Sequence, residues 1–119
     1  MADEFAAPLR EPPVRAVEEV GDAVVVRLAG ELDLHNAPDV RAALADAIGR
    51  SPARVVVDLS AVEFVDSTAL GALVEAHAKL GAQGLALAAP QHEPRRTLHV
   101  SGLDRRLAVH DTVEAALGS

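Results

Sequence analysis

The sequence has no cysteine, tryptophan or tyrosine, and its only aromatic residues are Phe5 and Phe64. Without cysteine the chain forms no disulfide bond and has no thiolate for redox chemistry or metal binding, which fits a reducing compartment. Scarce aromatic side chains argue against nucleic-acid binding by base stacking. The core must therefore consist of aliphatic side chains, and half of the 119 residues are hydrophobic.

Positive charge is scarce too. The 11 lysine and arginine residues are outnumbered by 18 acidic residues, so the formal net charge is -7. Nucleic-acid binders usually carry a clustered basic surface, and this composition therefore disfavours a nucleic-acid partner. The two arginine pairs, at residues 95–96 and 105–106, are interpreted as solvated surface charges.

Long apolar runs are missing as well. Nothing approaches the roughly 20 apolar residues of a membrane span, so no membrane association is expected. The first 13 residues mix acids, alanines and prolines, unlike a signal peptide, and predict a flexible tail. A chain of this length supports one hydrophobic core, so we expect residues 14–119 to form a single domain in the cytoplasm.

Hydrophobic periodicity predicts strands at about residues 14–20, 24–28, 54–59, 85–89 and 107–109, and helices at about 36–49, 68–81, 94–100 and 111–117. The first two strands form a hairpin and the later elements alternate, which predicts an α/β fold with a mixed, mostly parallel sheet and helices packed on it. Asn36 is expected to cap the first helix, and Gly30 to end the second strand and start a loop. Since the carboxyl ends of parallel strands meet at one edge, this loop and the segment after the third strand should lie side by side.

That segment, FVDSTALGAL from Phe64 to Leu73, places three small polar residues where a strand gives way to a helix. Side chains of Asp66, Ser67 or Thr68 could cap the helix, which stabilises it by about 1 kcal/mol. The helix is expected to turn these side chains inward: Leu70, Leu73, Val74, His77 and Leu80. We also expect Gly71 to be packed so closely that Gly71→Val overpacks the contact with the sheet.

Two chemical roles for the junction compete with capping. A nucleophilic serine would need an activating base, and Val65 and Ala69 stand where the G-x-S-x-G motif of serine hydrolases has glycines. The five histidines follow no known ligand spacing and no phosphate-binding loop is present, so no enzyme activity, metal or cofactor is expected. A phosphate on Ser67 is physically compatible with the fold, because anions are tolerated or favoured at a helix N-terminus.

Five segments in order resemble the STAS domains of bacterial anti-sigma-factor antagonists: Gly30 to Asp33, Val56 to Leu59, Phe64 to Gly71, Ser101 to Leu103 and Val113 to Leu117. The likeness covers nearly the whole ordered chain. It implies that Ser67 is phosphorylated by a serine kinase that is itself the anti-sigma factor. The unphosphorylated protein would bind this kinase and free the sigma factor, and a phosphatase would restore it after phosphorylation.

The same resemblance implies which residues form the site. Asp66 and Thr68 match motif positions that flank the phosphoserine, and Asp33 matches the loop acid associated with kinase binding. Together with Ser67 and Leu70 they form the predicted partner-binding set, with Ser67 also expected to cap its helix. Ala69 departs from the family pattern, where many members carry glycine.

An alternative interpretation is a STAS scaffold or regulatory subunit of a stress-signalling assembly or a lipid-transport complex, without regulation through Ser67. The two hypotheses differ in one measurable respect. A negative charge at residue 67 would leave partner affinity almost unchanged in a scaffold, whereas it would greatly weaken binding by an antagonist.

Overall fold

The computed structural model describes residues 11–81 and 84–118, so residues 1–10 of the predicted tail lie outside the described residues. The strands are β1 (Val14–Val20), β2 (Ala23–Leu32), β3 (Arg54–Val65), β4 (Leu85–Ala88) and β5 (Ala108–His110). The helices are α1 (Ala37–Gly49), α2 (Ser67–Leu80), α3 (His92–Val100) and α4 (Val113–Gly118), with a 3₁₀ turn at Leu103–Arg105. The predicted single α/β fold is confirmed.

The five strands form one mixed sheet in the order β1-β2-β3-β4-β5. β1 and β2 are an antiparallel hairpin, and β2 to β5 run parallel. Each parallel neighbour is reached through a helix, as expected for crossover connections. The carboxyl ends of β2, β3 and β4 therefore meet at one edge of the sheet.

The core is aliphatic and has two parts. The larger cluster fills the face covered by α1, α2 and α3, and the smaller one packs the opposite face against α4. Val55, Val56 and Val57 have no exposed surface, because successive strand residues point to opposite faces and both faces are covered. Asp58 is the one buried charged residue in the described part of the chain, and it is paired with Arg27 at 2.7 Å.

β2 and β3 are longer than predicted. The loop that was predicted to start at Gly30 begins only after Leu32, and β3 continues past Leu59 to Val65. Gly30 stays within β2 in a left-handed conformation, with φ of 78°. The ladder between the two strands shifts twice along this stretch, and such bulges let paired strands continue through a break in the alternating pattern.

The N-terminal segment joins the sheet earlier than expected. Pro13 was predicted to belong to a flexible tail, yet it is buried and its carbonyl accepts a hydrogen bond of 2.9 Å from the Ala29 N–H. Glu11 approaches Gly30 closely enough that a Cβ on that glycine would lie 3.6 Å from the Glu11 carboxylate. Residues 11–13 therefore extend along β2.

The buried positions of α2 are Ala69, Leu70, Ala72, Leu73 and Ala76. The predicted stripe was right for Leu70 and Leu73, whereas Val74, His77 and Leu80 are only half-buried. Gly71 lies at the edge of the buried face, and a Cβ there would meet no atom within 4 Å. The expectation of tight packing at Gly71 was wrong.

Gly71→Ala is therefore expected to stabilise the protein. A methyl group fits without contact, and alanine favours a helix interior over glycine by about 1 kcal/mol. The melting temperature should rise by roughly 3 to 5 °C in a thermal unfolding experiment.

Gly84→Ala is the matched control, since a Cβ there would lie 2.4 Å from the Cβ of Leu80. This variant should lose about 1–3 kcal/mol through overpacking. A Gly71→Ala protein that melts below the wild type would contradict the open space found at that position.

Candidate functional site

Two chain segments meet at the carboxyl edge of the sheet. Leu32 pairs with Val65, so β2 and β3 end level with each other. The Asp66 N–H donates a hydrogen bond of 3.0 Å to the Leu32 carbonyl just beyond this pair. The prediction that the loop after β2 and the start of α2 lie side by side is confirmed, and we call residues 31–36 and 60–68 the rim.

Asp66 joins the two segments through its side chain. Its backbone is extended, and its Oδ1 accepts a hydrogen bond of 3.0 Å from the Ala69 N–H, which caps α2. Its Oδ2 accepts one of 3.1 Å from the Leu34 N–H in the neighbouring loop. The Asp66 carboxylate thus caps the N-terminus of α2 and also binds the backbone of the neighbouring loop.

Ser67 is the first helical residue of α2 and is exposed. The prediction that Ser67 caps its helix was wrong, because Asp66 occupies the extended position before the helix and takes the cap hydrogen bond. Within residues 11–81 and 84–118, the Ser67 hydroxyl has no hydrogen-bond partner. Thr68 follows it and is half-buried.

The loop after β2 is folded by its own side chains. Asp33 Oδ1 accepts hydrogen bonds from the N–H groups of His35 and Asn36 at 3.0 and 3.3 Å. Asn36 accepts one from the Asp33 N–H at 2.9 Å and donates one to the Glu31 carbonyl at 2.8 Å. Asn36 does precede α1 as predicted, but its side chain folds the loop instead of capping the helix. Asp33, predicted as a partner contact, thus also shapes the loop.

Leu70 and Ala69 point away from the rim surface. Leu70 is 8% exposed and belongs to the larger core cluster, so it offers little area to a partner. Ala69 is 1% exposed and lies in the same cluster. The methyl group that distinguishes this chain at residue 69 therefore packs inside the protein and does not approach a partner at the surface.

Two apolar side chains at the rim were missed by sequence reasoning. Leu34 is 62% exposed and Phe64 is 48% exposed. Four carboxylates accompany them, those of Glu31, Asp33, Glu63 and Asp66, whereas residues 31–36 and 60–68 contain no lysine or arginine. The signal that could have identified Phe64 is the spacing of the buried residues of β3. Val62 and Val65 face the core, and Phe64 follows Glu63 in the interval between them.

The described residues contain no group of three or more His, Cys, Asp or Glu side chains arranged to hold a metal ion. In the same part of the chain, none of the helices has both the length and the apolar character that a membrane span needs. The site is a protein surface, with an exposed hydroxyl at a helix N-terminus surrounded by acidic and apolar side chains.

The fold and the rim define a small α/β domain that presents an exposed serine hydroxyl at the carboxyl edge of its sheet. The family model of the STAS domain matches residues 14–116. The chain belongs to the STAS domain family.

Named relatives agree with this assignment. The anti-sigma-F factor antagonist RsfB of Mycobacterium tuberculosis is 31% identical over 102 residues, which cover 85% of this chain and 84% of that protein. A crystal structure of an anti-sigma factor antagonist from Mycobacterium paratuberculosis is 34% identical, with a TM-score of 0.83 over 92% of this chain and 97% of that one.

A third relative has been solved in two covalent states. The anti-sigma factor antagonist SpoIIAA in its unphosphorylated form is 29% identical, with a TM-score of 0.67 over 86% of this chain and 91% of that one. The Bacillus protein SpoIIAA in the phosphorylated form is also 29% identical, with a TM-score of 0.60 over 87% and 96%.

Proposed function

We propose that this protein is an anti-sigma-factor antagonist controlled by phosphorylation of Ser67. In the unphosphorylated state it binds an anti-sigma factor that is also a serine kinase, which releases the sigma factor. Transfer of phosphate to Ser67 ends the interaction, and a phosphatase removes the phosphate to restore it. The role implies a cytoplasmic location. The names of three relatives as anti-sigma factor antagonists support the role.

The observation that carries the proposal is that Asp66, and not Ser67, caps α2. Asp66 takes over the cap of α2, so the Ser67 hydroxyl is exposed and forms no hydrogen bond within the described fold. A kinase can therefore use this hydroxyl without breaking a structural contact. In the reaction the Ser67 oxygen bonds to the γ-phosphorus of ATP, the bond to the ADP oxygen breaks, and the hydroxyl proton passes to a base of the kinase.

The fold should tolerate the phosphate. It adds about -1.5 to -2 charges next to the N-terminus of a 14-residue helix, where a negative group gains about 0.3–1 kcal/mol. The N–H groups of Ser67 and Thr68 stay available there, because Asp66 binds only those of Ala69 and Leu70. Repulsion from the Asp66 carboxylate opposes this gain, so the net change in stability should be small.

The test is phosphorylation by the partner itself. A pull-down from native cells with wild type and Ser67→Asp, read by mass spectrometry, identifies the anti-sigma factor as the protein retained by the wild type alone. Incubation of the purified pair with ATP should then add one phosphate to the wild type and none to Ser67→Ala. Ser51→Gly is the matched control, because it removes an exposed hydroxyl at the opposite end of the sheet where φ is 55°, and it should accept phosphate normally. Phosphate found on a residue other than Ser67 would overturn the assignment.

A scaffold or regulatory STAS domain remains the alternative that this experiment separates. Such a protein would retain the same partners with serine or aspartate at residue 67. It would also bind them without accepting phosphate at that position.

A further inference from the structure

Within the described residues, exposed large apolar side chains are few, and two of the four are at the rim. Among the described residues they are Val20, Leu34, Phe64 and Val100. Leu34 is tied to the start of α2 through its N–H bond to the Asp66 carboxylate at 3.1 Å. Phe64 precedes that same aspartate by two residues, which is about 7 Å of extended chain. Both side chains therefore emerge within a short distance of Ser67.

Phe64 is the only aromatic residue in the described part of the chain, and the core does not use it. It lies in β3 opposite Glu31, beside the second shift of the β2–β3 ladder. Large aromatic side chains dominate the energetics of cores and interfaces because of the area they bury. An aromatic side chain that is 48% exposed at the rim is available to a partner.

Leu34 is held in a defined position despite its exposure. Its N–H is bound by Asp66, and the loop around it is closed by the reciprocal hydrogen bonds of Asp33 and Asn36. A side chain presented by a pre-folded loop loses less conformational entropy on binding than one on a loose segment. The loop is thus suited to act as a rigid contact element.

The charges of the rim indicate the chemistry of the occupant. Glu31, Asp33, Glu63 and Asp66 give the rim four carboxylates without a lysine or arginine among residues 31–36 and 60–68. Interfaces typically place apolar contacts at the centre and charged groups at a water-accessible border. Complementary potentials then favour cationic side chains on the opposing border.

We propose that Leu34 and Phe64 are the apolar anchors by which the unphosphorylated protein docks onto its anti-sigma factor. The partner surface contains an apolar recess for these side chains, bordered by lysine or arginine residues that face the rim carboxylates. Ser67 directly follows the aspartate that binds the Leu34 N–H and comes three residues after Phe64, so a partner docked on both anchors would also cover Ser67 and remove its water. A phosphate there must give up its hydration, whereas the exposed carboxylates of Glu31 and Glu63 at the border keep theirs. This inference rests on the proposed function.

The test compares apolar-to-polar substitutions at matched positions. Leu34→Ser and Phe64→Ser should each raise the dissociation constant for the anti-sigma factor identified by the pull-down about tenfold or more, as measured by calorimetry. Phe64→Leu should retain most of the affinity. Val100→Ser is the control, because Val100 is 77% exposed at the end of α3 and outside the rim. It should bind within about twofold of the wild type.

A second set of variants tests the charged border. Glu63→Gln should lower the association rate a few-fold at low ionic strength, and the difference should shrink in high salt. Glu114→Gln is the matched control because Glu114 is exposed on α4, a helix whose Ala116 carbonyl accepts a hydrogen bond from Arg54 at the start of β3, the end of that strand opposite the rim. If Glu63→Gln and the wild type associate at the same rate at low salt, the proposal that lysine or arginine residues of the partner face the rim is wrong.

The outcomes separate this inference from the proposed function. If Ser67→Asp loses the partner while Leu34→Ser and Phe64→Ser bind like the wild type, the anchors are wrong and the function stands. If the wild type binds no anti-sigma factor, both the anchors and the proposed function fail.

Sedimentation of the free protein tests a different occupant of the same surface. A dimer that Leu34→Ser or Phe64→Ser dissociates would assign the surface to a second copy of the chain. The binding result of an anchor variant counts only if its melting temperature is within about 2 °C of the wild type. If Phe64→Ser melts at a lower temperature than that, the affinity of Phe64→Leu is compared with the wild type instead.

Discussion

Ser67→Asp is expected to bind the anti-sigma factor about five- to a thousandfold more weakly than the wild type. A kinase must bring the phosphates of its nucleotide to the Ser67 hydroxyl, so an aspartate at this position meets negative charge inside the complex. One like-charge pair at about 4 Å costs about 1 kcal/mol in water and about 4 kcal/mol at an effective dielectric constant of 20. Those two energies set the range, and titration calorimetry with nucleotide-bound partner measures it.

Two controls isolate the charge. Ser67→Asn has the size of the aspartate without its charge, so it should bind far better than Ser67→Asp. Ser51→Asp adds the same charge at the opposite end of the sheet, before β3 begins. Ser51 is exposed and has φ of 55°, a conformation that aspartate tolerates. This variant should bind like the wild type.

The folding of Ser67→Asp should be normal. An acidic residue in the first turn of a helix gains about 0.3–1 kcal/mol, and Asp66 still provides the cap. If Ser67→Asp melts like the wild type and binds the anti-sigma factor with unchanged affinity, regulation through Ser67 is contradicted and the scaffold alternative is favoured.

The sequence was sufficient for the order and type of the elements because buried strands and amphipathic helices leave different periodicities. β1 spans Val14–Val20 as predicted, and α2 ends before Gly81 as predicted but begins at Ser67, slightly earlier than expected. The proximity of the loops after β2 and β3 followed from topology alone, since parallel strands bring them to one edge. The family resemblance then singled out Ser67 within that edge.

The full length of β3 could not be predicted because its pattern changes within the strand. The inward residues are Val55, Val57, Leu59, Val62 and Val65, so their spacing increases from two to three. Each extra residue corresponds to a one-residue shift of the ladder with β2. The pattern of alternation stops at Leu59, although the backbone pairing continues to Val65. Phe64 is exposed in this irregular stretch.

The capping residue was also undetermined by sequence. Aspartate and serine are about equally good caps, and the two are adjacent here. The choice is made by the backbone of Asp66, which stays extended because its N–H is still bound to the Leu32 carbonyl at the end of the sheet. Tertiary pairing thus gives the cap to Asp66 and leaves the Ser67 hydroxyl exposed.

The second large effect, a loss of folding stability, is expected when Arg27 is replaced. Arg27 on β2 pairs with the buried Asp58 on β3. The Arg27 guanidinium is 2.7 Å from Asp58 Oδ2 and 2.7 Å from Glu18 Oε1. The hydrogen bond to Glu18, followed by that to Asp58, raises the pKa of Arg27 above its usual value. Asp58 also accepts a bond from the Ser60 N–H, and its side chain is only 8% exposed.

Arg27→Met should destabilise the protein by about 3 kcal/mol, because it leaves the Asp58 carboxylate buried without its cation. Urea unfolding measures the loss. Arg27 and Asp58 are partners in the β2–β3 register immediately before its first shift. Their pairing therefore also favours the alignment that brings Leu32 and Val65 level below the rim.

Arg50→Met is the control for a cation that pairs only at the surface. Arg50 contacts Asp46 at 2.8 Å and Glu19 at 3.5 Å, and both acids are well exposed. Its loss should cost less than about 1 kcal/mol. Adding Asp58→Asn to Arg27→Met should recover part of the stability, since an amide is cheaper to bury than an unpaired carboxylate. Equal stabilities for Arg27→Met and Arg50→Met would mean that water reaches Asp58 and that the pair does not hold the two strands in register.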